Sequence, residues 1–163
     1  MPQPQRRHLR FDAIDDAVAE AERLVAAERA GQIERVGNWT LGQSLGHLAT
    51  WASFAFDGYP DSVRAPWFVR AILRVMRKRI LTQGMMSGVR IRGVEGGTLG
   101  LETLDAEEAL CRYRAAMLRL RDDVPSIVNP VFGKLTHEQW MQLNLRHSEL
   151  HMSFLVPWEA GAT

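Results

Sequence analysis

The sequence holds a single cysteine, Cys111, among its 163 residues. An internal disulfide is therefore excluded, and so are CxxC redox chemistry and a cysteine-rich zinc site. Charge of one sign is also missing: 20 Lys and Arg against 19 Asp and Glu leave a formal net charge of +1, which exerts no global pull toward nucleic acid. No apolar run is long enough to span a bilayer. The basic N-terminus, MPQPQRRHLRF, has no apolar stretch behind it, so neither a secretory leader nor a membrane partner is expected. These absences point to a cytoplasmic setting, in which Asn38-Trp39-Thr40 is a chance sequon. There is no internal repeat and no low-complexity run.

What is present is the composition of an ordinary globular domain, 46% hydrophobic and 24% charged. One domain over residues 1–163 can bury roughly 70% of the surface its unfolded chain exposes, so no metal is needed merely to fold it.

Hydrophobic periodicity predicts four long helices. Asp12 or Asp15 caps the first, which runs to about Ala30 with Ile14, Ala17, Val18, Ala21, Leu24 and Val25 as its apolar stripe. Thr40 and Gln43 form a capping box for the second, apolar on nearly every side as far as Gly58, which marks it as central and buried. Asp105 with Glu108 opens the third, to about Asp122. Thr136 with Gln139 opens the last, and Pro157 ends it.

Between the second and third helices lies an irregular basic segment. Residues 67–81 can form a helix with Phe68, Ile72, Val75 and Met76 on one side and Arg70, Arg74, Arg77 and Lys78 on the other. Arg79 interrupts the apolar side, so either the helix ends before it or its guanidinium meets a specific acceptor. VRIRGV, residues 89–94, alternates with period two and reads as a short strand or an extended crossover. The expected fold is all-α, a four-helix bundle with this basic crossover, residues 64–92, between its second and third helices.

Chemistry concentrates on the last helix. At 100° per residue, Trp140, Leu143, Asn144, His147, Leu150, His151 and Phe154 share one face. Two inward imidazoles one turn apart need partners. A shared metal would supply them, as would hydrogen bonds in an ordinary core. The pattern is not that of the zincin proteases, because Ser148 follows the first His and Glu149 points elsewhere. A third histidine, His47, sits on the second helix beside Gln43, Ser44, Thr50, Trp51 and Phe54, a face that suits a pocket wall. Bundle sites are built from facing helices, so His47, His147 and His151 are the candidate ligands. Gln43, Trp51, Trp140 and Asn144 are the candidate lining. His137 and His8 are set aside, the first as exposed and the second as part of a mobile terminus. Cys111 reads as a core or boundary residue with no activating neighbour.

Gly42-Gln43-Ser44-Leu45-Gly46-His47-Leu48, followed by the C-terminal FGKLTHEQWMQLNLRHSELH, resembles the DinB-like superfamily, nearest to a branch of uncharacterised bacterial proteins. The resemblance implies up-down-down-up topology and a divalent metal held by one His of the second helix and an HxxxH pair of the last. Carried over, these are His47, His147 and His151. Three neutral imidazoles leave a coordination position open and are compatible with Zn²⁺, Ni²⁺, Fe²⁺ or Mn²⁺.

Relatives in that superfamily include thiol-dependent S-transferases and a mycothiol-dependent isomerase. The resemblance thus implies metal-assisted transfer of a low-molecular-weight thiol to an electrophilic small molecule. Two alternatives stand beside it. One is a non-catalytic ligand- or partner-binding bundle, with Met141, Leu145 and Met152 as a homodimer contact. The other is a metal-dependent hydrolase, which requires a general base such as Glu95 or Glu102 from the irregular segment. Nucleic-acid binding through residues 70–92 is disfavoured by the balanced overall charge.

Overall fold

The computed structural model describes residues 5–63, 65–88 and 97–158. Among them the chain is mostly helical, with five helices and one two-stranded sheet. Helix α1 spans Ile14–Arg29, and every residue of the apolar stripe named above is buried. Its cap is supplied by Asp16, whose carboxylate accepts from the backbone N of Ala13 at 2.9 Å, rather than by Asp12 or Asp15. Strand β1, Ile33–Arg35, follows. Helix α2, Leu41–Asp57, begins with the expected reciprocal box: Gln43 N donates to Thr40 Oγ1 at 3.1 Å, and Thr40 N donates to Gln43 Oε1 at 3.0 Å. Helix α3 is Trp67–Gln83, α4 is Ala106–Asp122, and α5 is His137–Met152. Strand β2, Leu155–Pro157, pairs antiparallel with β1, Ile33 opposite Pro157 and Arg35 opposite Leu155.

The last helix is thus shorter than its sequence pattern suggests. It ends at Met152, and the chain turns through Ser153 and Phe154 into β2, where its backbone groups find partners in β1 instead of in a further helical turn. Phe154 is not on the histidine face of a helix. It lies against Gly37, where an added Cβ would come within 3.3 Å of the Phe154 Cβ.

Helices α1, α2, α4 and α5 pack on one another, most extensively α2 on α4, around a core that includes Leu24, Leu45, Leu48, Tyr113, Met117 and Trp140. Leu145 and Met152, which the sequence offers as a dimer contact, are buried in this same core, and Met141 packs against it. α5 is enclosed on a second side as well. Arg146 and Glu149 form a buried pair at 2.8 Å, Glu149 accepts from Phe11 N at 2.7 Å, and Arg146 donates to the Phe11 carbonyl. Arg7 N donates to Ser153 O at 2.9 Å. The segment before α1, carrying His8, is therefore pinned along α5 and not a free end.

α3 is peripheral and packs chiefly on α5, with Leu81 as its one buried residue. The helix continues through Arg79, whose Nε donates to Gln83 Oε1 at 3.0 Å, so the interruption is answered by a partner one turn on. Its inward stripe is Val69, Leu73, Met76, Ile80 and Leu81 with Arg70 and Arg77, while Phe68, Ile72 and Val75 face outward. The apolar side read from the sequence is therefore mostly the solvent side. VRIRGV lies outside the described residues. Among those described, no helix is long and apolar enough to cross a membrane.

Candidate metal centre

The centre begins with two glycines of α2. A Cβ at Gly42 would lie 2.1 Å from the Leu104 carbonyl oxygen, and one at Gly46 would lie 2.9 Å from Leu104 Cδ1. Only bare backbone lets the segment leading into α4 press this closely on α2. Gly100, in the left-handed region at φ 75°, packs against Thr50 of the same helix. The approach carries the Leu99 carbonyl to 2.6 Å from His47 Nδ1. A carbonyl only accepts, so Nδ1 holds the ring proton and Nε2 presents a lone pair to the interior.

That lone pair meets α5. His47 Nε2 is 3.1 Å from His147 Nε2, which is 3.1 Å from His151 Nε2. The three side chains can offer donor atoms that all lie within 4.8 Å of one another. Hydrogen bonds among neutral rings do not satisfy this arrangement. With His47 Nε2 bare, a proton on His147 Nε2 serves one neighbour and leaves the other nitrogen without a full partner. A cation at the centre serves all three. Tetrahedral Zn–N bonds of about 2.0–2.1 Å separate their nitrogens by roughly 3.3 Å, close to the spacing found here. The residues present fit a divalent ion.

Electrostatics keep these rings in the ligand form. Burial pushes the His47 pKa down to about 4, against a smaller upward effect of the Leu99 hydrogen bond. His147 is pushed well below its usual value by burial, then by His151 and His47. His151 is brought to about 3 by burial first, then by His47 and Arg6. The rings are therefore neutral at neutral pH, each with one ring proton and one nitrogen lone pair free to bind a cation. His47 is buried, and His147 and His151 are partly exposed.

Two indoles flank the cluster. Trp51, one turn beyond His47, has its ring centroid 5.8 Å from both His47 and His147, and its Nε1 is buried without a hydrogen-bond partner. Trp39 stacks on His151 at 4.8 Å with 4° between the planes and meets His47 edge-on at 5.0 Å. Trp39 belongs to the connection between β1 and α2. Pairing of β1 with β2, extended by Val36 N to Phe154 O at 2.8 Å, ties that connection to the end of α5 and so lays the indole over His151.

The chain matches, over residues 3–158, the family described as Protein of unknown function (DUF1569). It belongs to that family. No curated protein and no solved structure matches it.

In this DUF1569 chain the remaining candidates fall elsewhere. Gln43 spends its side-chain oxygen on the α2 cap. Asn144 is buried and donates to the Trp140 carbonyl of its own helix at 3.0 Å, and Trp140 is a core residue, 1% exposed. Of the four expected lining residues, Trp51 is the one whose ring contacts the histidines. Trp39 was not legible: its tie to His151 passes through a sheet pairing between residues 120 to 124 apart, and nothing near it in sequence carries the signal. Glu102 is mostly exposed and pairs with Arg112 of α4 at 3.5 Å, while Glu95 lies outside the described residues. His137 is half-buried rather than exposed, its Nε2 2.7 Å from the Leu120 carbonyl, and Cys111 is exposed on α4. A separate open hollow of about 820 Å³ between α2 and α4 is lined by Thr50, Ser53, Asp57, Arg112 and Arg119, with no histidine among its lining residues.

Proposed function

We propose that this chain is a DinB-like metal protein: α1, α2, α4 and α5 form the up-down-down-up bundle, and His47, His147 and His151 hold one divalent ion. The activity proposed for it is transfer of a low-molecular-weight thiol to an electrophilic small molecule. The observation that carries this reading is the convergence of three Nε2 atoms, 3.1 Å apart in two of their pairs, with no proton arrangement that satisfies them all. Zn²⁺, Ni²⁺, Fe²⁺ and Mn²⁺ all suit neutral imidazole donors. When bound, such an ion contributes positive charge and an open position, which acidifies a thiol or water near neutral pH.

The chain's own groups have distinct parts in this reading. The Leu99 carbonyl fixes the tautomer and ring orientation of His47. Trp39 and Trp51 lay their indole rings beside the cluster and offer apolar surface to an electrophile. Arg6, whose charge reaches His151 and whose guanidinium sits over the Phe154 ring, is a cation near the cluster for a carboxylate of the thiol. Hydrolysis is less well supported, because it needs a general base and, among the described residues, no carboxylate joins the cluster.

Metal analysis of the purified protein alongside His47→Ala and His151→Ala, followed by thiol-transfer assays on each, tests the reading. The expected result is close to one ion per chain in the parent, loss of most of it in both variants, and thiol-dependent turnover by the parent alone. Equal metal content in all three removes the centre. Retained metal with no thiol-dependent turnover replaces the transferase with a binding module.

A further inference from the structure

The outer face of α3 is built unlike the rest of the surface. Trp67 is 75% exposed, Phe68 52%, Ile72 56% and Val75 85%, four large apolar side chains within nine residues of one helix. Phe68, Ile72 and Val75 follow i, i+4, i+7 spacing and form one outward stripe. Trp67, Arg74 and Lys78 recur at i, i+7, i+11 along its flank, and Arg79 sits on the stripe one turn past Val75. Isolated apolar residues on a surface are ordinary, but a contiguous stripe of this kind marks a contact.

Charge selects what makes that contact. Helix α3, Trp67–Gln83, contains five Lys and Arg and no Asp or Glu, so it carries +5 while the remainder of a chain with net charge +1 carries −4, and Arg74, Lys78 and Arg79 are its exposed cations. Two copies meeting stripe to stripe would set these cations against one another. An anionic partner is complementary. Among the described elements α3 packs chiefly on α5 by its inner stripe, and its exposed face runs about 25 Å. A surface helix with aromatic and aliphatic tips and flanking Arg and Lys matches the requirements of a bilayer interface, where the tips enter the headgroup region and the cations meet anionic lipid.

We propose that α3 docks the protein on an anionic lipid surface, apolar stripe inward and acidic body away from the membrane. This departs from the sequence expectation of no membrane partner, which rested on the near-zero total charge and the lack of a spanning segment. Neither excludes an interfacial helix.

The test is co-sedimentation of the full chain with vesicles of phosphatidylcholine alone and of phosphatidylcholine with about 30% phosphatidylserine. Binding to the anionic vesicles should be at least about tenfold tighter and should weaken about tenfold between low and high salt. Phe68→Ser with Ile72→Ser should reduce it about tenfold or more, as should Arg74→Glu with Lys78→Glu, since each pair removes one of the two attractions. All four side chains are exposed, so circular dichroism of both variants should match the parent. Equal affinity for neutral and anionic vesicles overturns the proposal. So does a dimer in sedimentation velocity that the double-serine variant dissociates, without vesicle binding, which would assign the stripe to a second copy. Binding to neither vesicle also overturns it and leaves the face to an acidic protein.

Discussion

Every feature of the candidate centre passes through His47. Its Nδ1 proton is committed to Leu99 by a 2.6 Å hydrogen bond, and this leaves Nε2 as the acceptor that His147 and His151 meet. Because Leu99 acts through its backbone, the residue that tests it is its neighbour. Gly100→Ala places a Cβ at φ 75° and 2.8 Å from Thr50 Oγ1, which should draw the Leu99 carbonyl off the ring. Loss of an orienting partner of this kind costs about 10- to 100-fold in metal affinity, measurable by competitive chelator titration, with helical content retained.

The depressed histidines also set a pH dependence for the metal-free protein. His47 titrates near 4 in the fold and at an ordinary 6.5 when unfolded. Above that ordinary value neither state takes the proton and stability is flat. As pH falls below it the unfolded chain is protonated first, so stability is lost progressively toward pH 4, by on the order of 3 kcal/mol for His47. Urea melts of the apo protein across this range should show the decline, and His47→Ala should make it shallower by the share of His47, with His147 and His151 still contributing. A stability that rises on acidification would contradict the burial of these rings.

Among the elements, α2 decides the geometry. Gly42 and Gly46 stand in plain view in the stretch of residues 42–48, but what they accommodate does not. Alanine in place of glycine inside a helix ordinarily gains about 1 kcal/mol. At Gly42 the new Cβ would stand 2.1 Å from a backbone oxygen, and overpacking of that kind costs typically 1–3 kcal/mol or more. Gly42→Ala should therefore be net destabilising in urea melts and weaken metal binding, because Leu104 and Leu99 belong to the same pressed segment.

The helices themselves were largely legible, since the α1 stripe, the Asp105 start of α4 and the α2 and α5 caps are local patterns of period and spacing. Two elements were misread for one reason. The end of α5 and the inward face of α3 are set by neighbours distant in sequence, β1 in one case and α5 in the other. Periodicity names an apolar stripe without saying which side another element will cover.

For the whole molecule, the core contains no metal-dependent step. Leu24, Leu45, Met117 and Trp140, one from each of four helices, belong to a single buried apolar core. Chelation should therefore leave the far-ultraviolet circular dichroism unchanged at room temperature while lowering Tm. At ion concentrations near 100 times Kd the bound state is worth about 2.7 kcal/mol, so thermal melts with and without chelator should separate by several degrees. Collapse of the helical signal on chelation would make the ion structural.

Amphipathic period, caps and a pair of histidines one turn apart are properties of contiguous residues, and they alone determined that the chain forms helices and where its candidate ligands stand. Which atoms of those ligands face one another, that Trp39 joins Trp51 beside them, and that α3 turns its apolar stripe outward were decided by tertiary structure. The physical reason is the same in each case. They depend on backbone from remote segments, the Leu99 carbonyl, the β1–β2 ladder and the α3–α5 contact, arriving at distances of a few ångströms that no local spacing encodes.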